Sequence, residues 1–432
     1  MRADPYHATR RFGLGRRGAE PLPDDPRQWL SDQLNRRDPA LDVPVSSIAD
    51  ALRTQQEFEM GLSAGKTGMR GLAGLFRDEC AAALTTAIRT TVPVTERLVW
   101  LWTNHFTISG RAGGNVFGFA ADYIKTAIRP HATGRIVDLL RAAILHPAML
   151  LYLDNVASAG PLSRHGRAYK IGLNENLARE CLELHTVGLA GNYSQADVIA
   201  LAEMLSGFKV RLEGNNPGMF FDANTHQPGT KMLMGQRFAE GQDGLLAALE
   251  FLGTHPATYR RVAERLVRHY VADNPKAEHI ETVARAFDRS GGQVRAAMEA
   301  VFDLPEAWQP FVKFKSPIEY LVSAWRALDM PSRLPSEIAD ATIATGQPFL
   351  SAPLPNGYPD TFDDWMSGDA ILRRADWAMD QCQREGAPSL SQVMEAQLGG
   401  PCSDATQAAI ARLGDRREQL ATFLVSREFL WR

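Results

Sequence analysis

Between Gly172 and Gly188 the chain reads GLNENLARECLELHTVG, crowding Asn174, Glu175, Asn176, Arg179, Glu180, Glu183 and His185 into about three helical turns whose other positions are apolar. Carboxylates, amides, a guanidinium and an imidazole at this spacing are the materials of acid–base chemistry or of ligation. An ordinary amphipathic helix turns one polar stripe to water. Here Glu175, Arg179 and Glu183 follow one another at i, i+4, while Asn176 and Glu180 form a neighbouring ridge. A helix over Asn174 to Val187 must therefore find partners on more than one face, and we expect it to be central and mostly buried. A solvated ion-pair ladder along Glu175, Arg179 and Glu183 is the structural alternative, and both readings stay open. Asn174 suits an N-cap and Gly188 a C′ stop, which leaves His185 in the last turn, where a cation or a ligand lone pair can be used.

Other side chains extend the candidate site. His105 ends the run WLWTNHF, and the flanking Trp100, Trp102 and Phe106 would hold its imidazole neutral. His105 and His185 are each the only imidazole on their helix, so we expect them to approach one another across a pocket. If both are structural, they should instead hydrogen-bond separate backbone carbonyls. His226 and Lys231 belong to HQPGTK, inside the Asn-, Gly- and Pro-rich stretch Val210 to Gly235, expected to be a lid over a cavity near the central helix. Asp154 and Asn155 follow an apolar helix, either as a plain cap and turn or to orient a histidine or arginine of the central helix. Arg164 and Arg167 precede Gly172 and are either solvated or meet an anion at the N-terminus of the central helix. Familiar helical hydrolase patterns are missing: no Glu-x-x-His, no HExxH and no adjacent His-Asp pair occurs.

These blocks also carry a resemblance. RRFGLGRR from Arg10, LVWLWTNHFTIS from Leu98, HPAMLLYLDNVAS from His146, the central helix, GNYSQADVIALAEMLSGF from Gly191, HQPGTK from His226, FLGTHPATYRRVAERLVRHYVAD from Phe251 and SPIEYLVSAWRAL from Ser316 occur in that order. From Thr9 to about Leu328, with a looser tail, the chain is similar to the bacterial family described as domain of unknown function 1800 (DUF1800). The resemblance implies a helical fold and association with a second family, DUF1501, whose members look like alkaline-phosphatase-type or sulfatase-type proteins. It implies no established reaction. Many members have a second histidine where this chain has Thr103, which argues against a two-histidine pair on that helix. Glu180 to Gly188 is similar, over that short span, to the proximal helix end of plant-type haem peroxidases. That likeness implies His185 as ligand to haem or another transition metal and His105 as distal acid/base. Where those enzymes carry an arginine before the distal histidine this chain has Leu101, so Arg97 or Arg164 would have to substitute.

Two function classes follow. One is a metal- or haem-dependent oxidoreductase with its site between the 94–109 and 174–187 helices. In it His105, Glu183 and Arg179 are the catalytic candidates, His185, Arg164 and Arg167 hold the cofactor, and Asp154, Asn155, Asn174, Glu175, Asn176, Glu180, His226 and Lys231 complete the pocket. The other is a non-catalytic partner or assembly module for a phosphatase-like or sulfatase-like DUF1501 protein, its polar residues forming a buried network that holds helices in register.

The elements that must position these residues read as helices nearly everywhere, which predicts an all-α fold with long irregular loops. A helical core over residues 1–330 is expected, then a loop and a small C-terminal helical segment over 331–432 packed on it. A minor ribbon is expected near Lys209 to Phe221, and Ser194 with Asp197 has the spacing of a capping box. Forty-seven Lys and Arg against 50 Asp and Glu give a net charge of −3, with no basis for nucleic-acid binding. The four cysteines show no metal spacing, and pairing of Cys382 with Cys402 is left open. No apolar run is long enough to span a bilayer. Arg10-Arg11 mimics a twin-arginine export motif, but a charged, proline-rich segment follows it, so those arginines are expected to belong to the fold. The expected location is cytoplasmic, or exported as passenger of a signal-bearing partner.

Overall fold

The structure, a computed structural model, describes residues 3–36, 45–63, 71–214, 216–330 and 335–432. Helix accounts for 63% of the chain and strand for 4%, which places the fold in the all-α class. The helices that frame the site are Pro93–His105 (α1), Asn176–Glu180 (α2), Gln195–Leu205 (α3), Pro256–Tyr270 (α4), Pro317–Leu328 (α5) and Gly368–Cys382 (α6).

Two of these are buried all round. In α1, Pro93 supplies a preset first turn and Leu98, Val99 and Trp102 are at most 1% exposed. Every residue of α5 is buried, and it opens on a capping box between Ser316 and Glu319. A helix with no solvated face must pair its polar groups inside the protein. On α1, Thr95 Oγ1 therefore donates to Gln33 O at 2.7 Å, Trp102 Nε1 to Ala132 O at 2.8 Å, and Glu96 accepts from Arg129. Arg11 is likewise buried, donating to the carbonyls of Val271, Ala307, Gln309 and Arg432. Its burial matches the expectation that the arginine pair serves the fold.

The central segment departs from a plain helix. Asn174 Oδ1 accepts from Asn176 N at 2.9 Å, so the α-helix starts two residues later than expected and gives way after Glu180 to a wider π turn, Cys181–His185. Gly188 N reaches back to Leu182 O at 2.8 Å, and Gly188 itself has φ +60°. A side chain there would also collide with Arg261, so only glycine closes this end.

The ribbon near Lys209 exists as β1 (Phe208–Arg211) paired antiparallel with β2 (Gly218–Phe221). A second hairpin, β3 (Lys231–Leu233) with β4 (Gln236–Phe238), was not expected. The Ser194–Asp197 capping box is present at the start of α3. The C-terminal helical segment contains two short helices in succession, Asp404–Ala411 and Arg416–Leu424, because Asp415 caps a fresh start beyond Gly414. Gly368–Cys382 and Pro335–Ala344 are further helices of this C-terminal part. The tail is clamped to the body, with Lys315 N donating to Leu430 O at 2.9 Å and Arg432 N to Lys313 O at 2.8 Å.

The irregular segment ahead of α6 is fastened to α1. Asn104 Nδ2 donates to Tyr358 O at 2.8 Å, and its Oδ1 accepts from Tyr358 N at 2.7 Å. Ser109 Oγ holds Ala352 O at 2.7 Å.

Candidate functional site

His105 and His185 do converge, with ring centroids 5.8 Å apart and perpendicular planes. Their hydrogen bonds define what they do. His185 Nδ1 lies 2.9 Å from His105 O, and His105 Nε2 lies 3.3 Å from His185 O. A carbonyl only accepts, so each ring spends its N–H on the other's backbone. Burial, followed by the Arg265 charge, drives His105 well below its ordinary pKa, and burial lowers His185 to about 3. Both are neutral near pH 7. His185 Nε2 is left buried without a partner.

Among the described residues no third His, Cys, Asp or Glu donor gathers with these two rings, and Arg261 and Arg265 lie close enough to lower both pKa values. The same cations would repel a metal ion. The Phe106 ring lies tilted 5.2 Å from His185, Trp102 lies 6.0 Å from His105, and neither histidine lines the cavity described below.

The remaining sequence candidates are dispersed. Glu175 pairs with Arg179 at 2.9 Å, and both reach Gln195, on a half-exposed edge. Glu183 accepts from Tyr193 Oη at 3.4 Å, and burial together with the Glu183 charge raises the pKa of Glu180. The helix is thus buried on its Leu177, Cys181 and His185 side and solvated along the ladder. Asp154 is an exposed turn residue with φ +56°, and Asn155 Nδ2 caps Leu205 O and Phe208 O. Arg164 and Arg167 are exposed, as is Asn176. His226 Nε2 accepts from Gly241 N at 3.0 Å, and Lys231 Nζ donates to the carbonyls of Gln227, Pro228 and Gly229. Those two side chains fasten the turn ahead of β3 and the start of the following helix, and neither lines the cavity described below.

The cavity is elsewhere along α1, and neither His105 nor His185 lines it. A half-open space of about 90 Å³ lies between α1, α4, α5 and the segment that carries Tyr358. Trp100, Leu101, Ile108, Ile318 and Phe349 give it apolar walls, and Arg97, His269, Glu319 and Asp360 close its polar end. Arg97 Nε donates to His269 Nε2 at 3.0 Å. Arginine has no acceptor, so Nε2 bears the lone pair and Nδ1 the proton, which goes to Asp360 Oδ2 at 2.7 Å. Arg97 also reaches Gly13 O at 2.6 Å and pairs with Glu319, which Arg432 contacts at 3.1 Å. Burial lowers His269 to about 4 despite Asp360, and it lowers Arg97 to about 10. Burial works against Glu319, but Arg432 and Arg97 hold it down to about 2. At neutral pH the site therefore holds a cationic Arg97, a neutral, oriented imidazole and two carboxylates.

Sequence reasoning reached this site only through Arg97. His269 sits in RRVAERLVRHY, whose charge reads as a solvated face, and Asp360 in a Pro- and Gly-rich loop. Their contact spans 91 residues. The available signal was the length of that loop.

The family model described as protein of unknown function (DUF1800) matches residues 7–431. No curated protein and no solved structure matches the chain. No helix among the described residues is long and apolar enough to cross a membrane.

Proposed function

We propose that this chain, which belongs to the DUF1800 family, performs acid–base chemistry on a small carboxylate with an apolar body, held in the cavity between α1, α4 and α5. The observation that carries the reading is the His269–Asp360 pair, 2.7 Å apart on a cavity wall. A carboxylate on Nδ1 fixes the tautomer that leaves Nε2 as the base, and it stabilises the imidazolium once Nε2 has taken a proton. In the empty cavity Arg97 Nε caps that lone pair. A substrate carboxylate gives Arg97 a new counter-ion and releases Nε2, so the base is uncovered only when substrate is present. The proton comes from an acidic C–H of the substrate or from water. No Ser or Cys nucleophile is free in this wall: Ser316 Oγ caps α5 and the Thr103 and Thr107 hydroxyls bond carbonyls. Acyl-enzyme chemistry is not favoured.

Calorimetric titration with benzoate and its neutral counterpart benzamide tests this. Benzoate should bind saturably, benzamide should not, and Arg97→Gln and Arg97→Lys should each weaken benzoate, because Arg97 is the counter-ion offered to the carboxylate. Equal behaviour of the two probes, or indifference to both substitutions, would overturn the reading.

A second reading is favoured by one observation: every nitrogen of Arg97 and both ring nitrogens of His269 already have protein partners. A network so saturated also suits an assembly module that holds helices in register for a partner of the DUF1501 type. Co-purification with such a partner, undiminished by His269→Gln, would favour it. The oxidoreductase reading keeps only the His185 Nε2 lone pair in its support.

A further inference from the structure

A cluster of metal-ligating side chains stands apart from the cavity, where the helix Ala277–Ser290 begins beside the turn Pro305–Trp308. Glu278 and His279 lie in the first turn of that helix and Glu306 in the short turn, and one donor atom from each lies within 4.8 Å of the other two. His279 Nε2 is 3.1 Å from Glu306 Oε2 and 3.8 Å from Glu278 Oε1. Lys276 is the cation beside them, its Nζ 2.9 Å from Glu306 Oε1 and 3.8 Å from Glu278 Oε1. Glu306 therefore spends one oxygen on the lysine and turns the other to the imidazole.

The imidazole is the group that lacks a partner. Its side chain is only 9% exposed, yet among the described residues neither ring nitrogen makes a hydrogen bond. Nε2 is close to Glu306 Oε2 without hydrogen-bond alignment, so the oxygen sits off the axis of the nitrogen lone pair. Two ligands of one metal ion stand in that relation, each aimed at the ion and not at the other. A buried imidazole without a hydrogen bond costs free energy unless something else meets its lone pair.

We propose that Glu278, His279 and Glu306 bind a divalent, six-coordinate metal ion of the manganese class. Two carboxylate oxygens and one imidazole nitrogen form a mixed donor set, whereas calcium and magnesium favour oxygen alone. Tetrahedral zinc holds its donors about 3.3 Å apart, from bonds near ~2.0 Å, and the 3.8 Å pair is wider than that. A six-coordinate ion accepts unequal spacings and completes its shell with water from the side where Glu278 is 71% exposed. Lys276 is 58% exposed and swings to water as the ion enters. Both the lysine and the helix N-terminus oppose a cation, so the ion exchanges freely and loads only when it is supplied. Once loaded, it ties the helix to the turn on which the N-terminal segment rests, since the neighbouring Ala307 O accepts from His7 Nε2 at 3.0 Å and from Arg11 Nε at 3.3 Å.

Electron paramagnetic resonance of manganese chloride titrated into the chelator-treated full chain tests this, because the sharp signal of the aquo ion is lost on binding. One ion per chain should bind saturably, and an equal concentration of magnesium should not displace it. His279→Gln should weaken manganese by about tenfold or more, and so should Glu278→Gln, whose exposed side chain can be changed without disturbing the core. Lys276→Gln removes the competing charge and should tighten manganese by roughly fivefold. If binding is not saturable, if equal magnesium displaces the ion, or if His279→Gln and Glu278→Gln leave the affinity unmoved, the ion is adventitious and the proposal fails.

Discussion

Lowering the pH from about 7 to about 5 should strip much of the stability from this fold, because His7, His105, His185 and His269 are held neutral inside it. His7 and His269 are lowered from 6.5 to about 4 and His185 to about 3, and for each the first cause is burial. The unfolded chain takes up protons below 6.5 while the folded chain does not until near 4, so stability is full above 6.5 and falls as pH drops between those values. At pH near 5 each histidine withdraws about 2 kcal/mol, roughly 8 for the set. Glu79 acts in the opposite sense: burial raises it to about 7, so its contribution is gained as pH falls and lost as pH rises through 7. It returns about 2 to 3 kcal/mol at pH 5. Glu319 and Glu428, both held at about 2, begin to withdraw stability only as pH falls through the ordinary carboxylate value of 4.5, so the window above 5 belongs to the histidines. The net loss of roughly 5 kcal/mol is comparable with the whole stability of many domains. Urea unfolding followed by circular dichroism across this range measures it. His269→Gln should flatten the pH slope by about one proton, or 1.4 kcal/mol per pH unit. A wild-type loss below about 1 kcal/mol over the window would show that these imidazoles are not neutral and buried as described.

Asn104→Ala removes both hydrogen bonds to Tyr358 and should cost about 1 to 3 kcal/mol, with faster hydrogen exchange along the segment that carries Asp360. Unchanged exchange at the Tyr358 amide would mean that Asn104 is not the fastening. Arg11→Lys should destabilise by about 2 to 4 kcal/mol, since an ammonium cannot span the carbonyls of Val271, Ala307, Gln309 and Arg432; a neutral effect in thermal unfolding would contradict the fold role of this arginine. The purified protein should show no Soret band and no stoichiometric iron, copper or zinc, and either signal would restore His185 as a ligand.

What was legible in the sequence, and what was not, separates along physical lines. Helices such as Gln195–Leu205 and Pro317–Leu328 announce themselves because apolar period and capping residues are local. The convergence of His105 and His185 was legible for the same reason, since Trp100, Trp102 and Phe106 imply burial. But the cue that predicted burial also argued against chemistry. An imidazole wrapped in apolar side chains must donate its N–H to whatever lies within reach, and here that is the opposite backbone carbonyl. His269 carried no such cue, because it ends a helix rich in arginine, and what distinguishes it is a carboxylate from a loop 91 residues away. An imidazole with a carboxylate on one nitrogen and a cavity beside the other is the arrangement that can move a proton, and long-range packing alone creates it. Asp360→Asn isolates that difference: the fold keeps its helices, Nδ1 loses its fixed acceptor, and the ring is free to adopt either tautomer. Nitrogen chemical shifts of His269 should then report a mixture where the wild type gives one tautomer, and a single unchanged tautomer would show that Arg97 alone orients the ring.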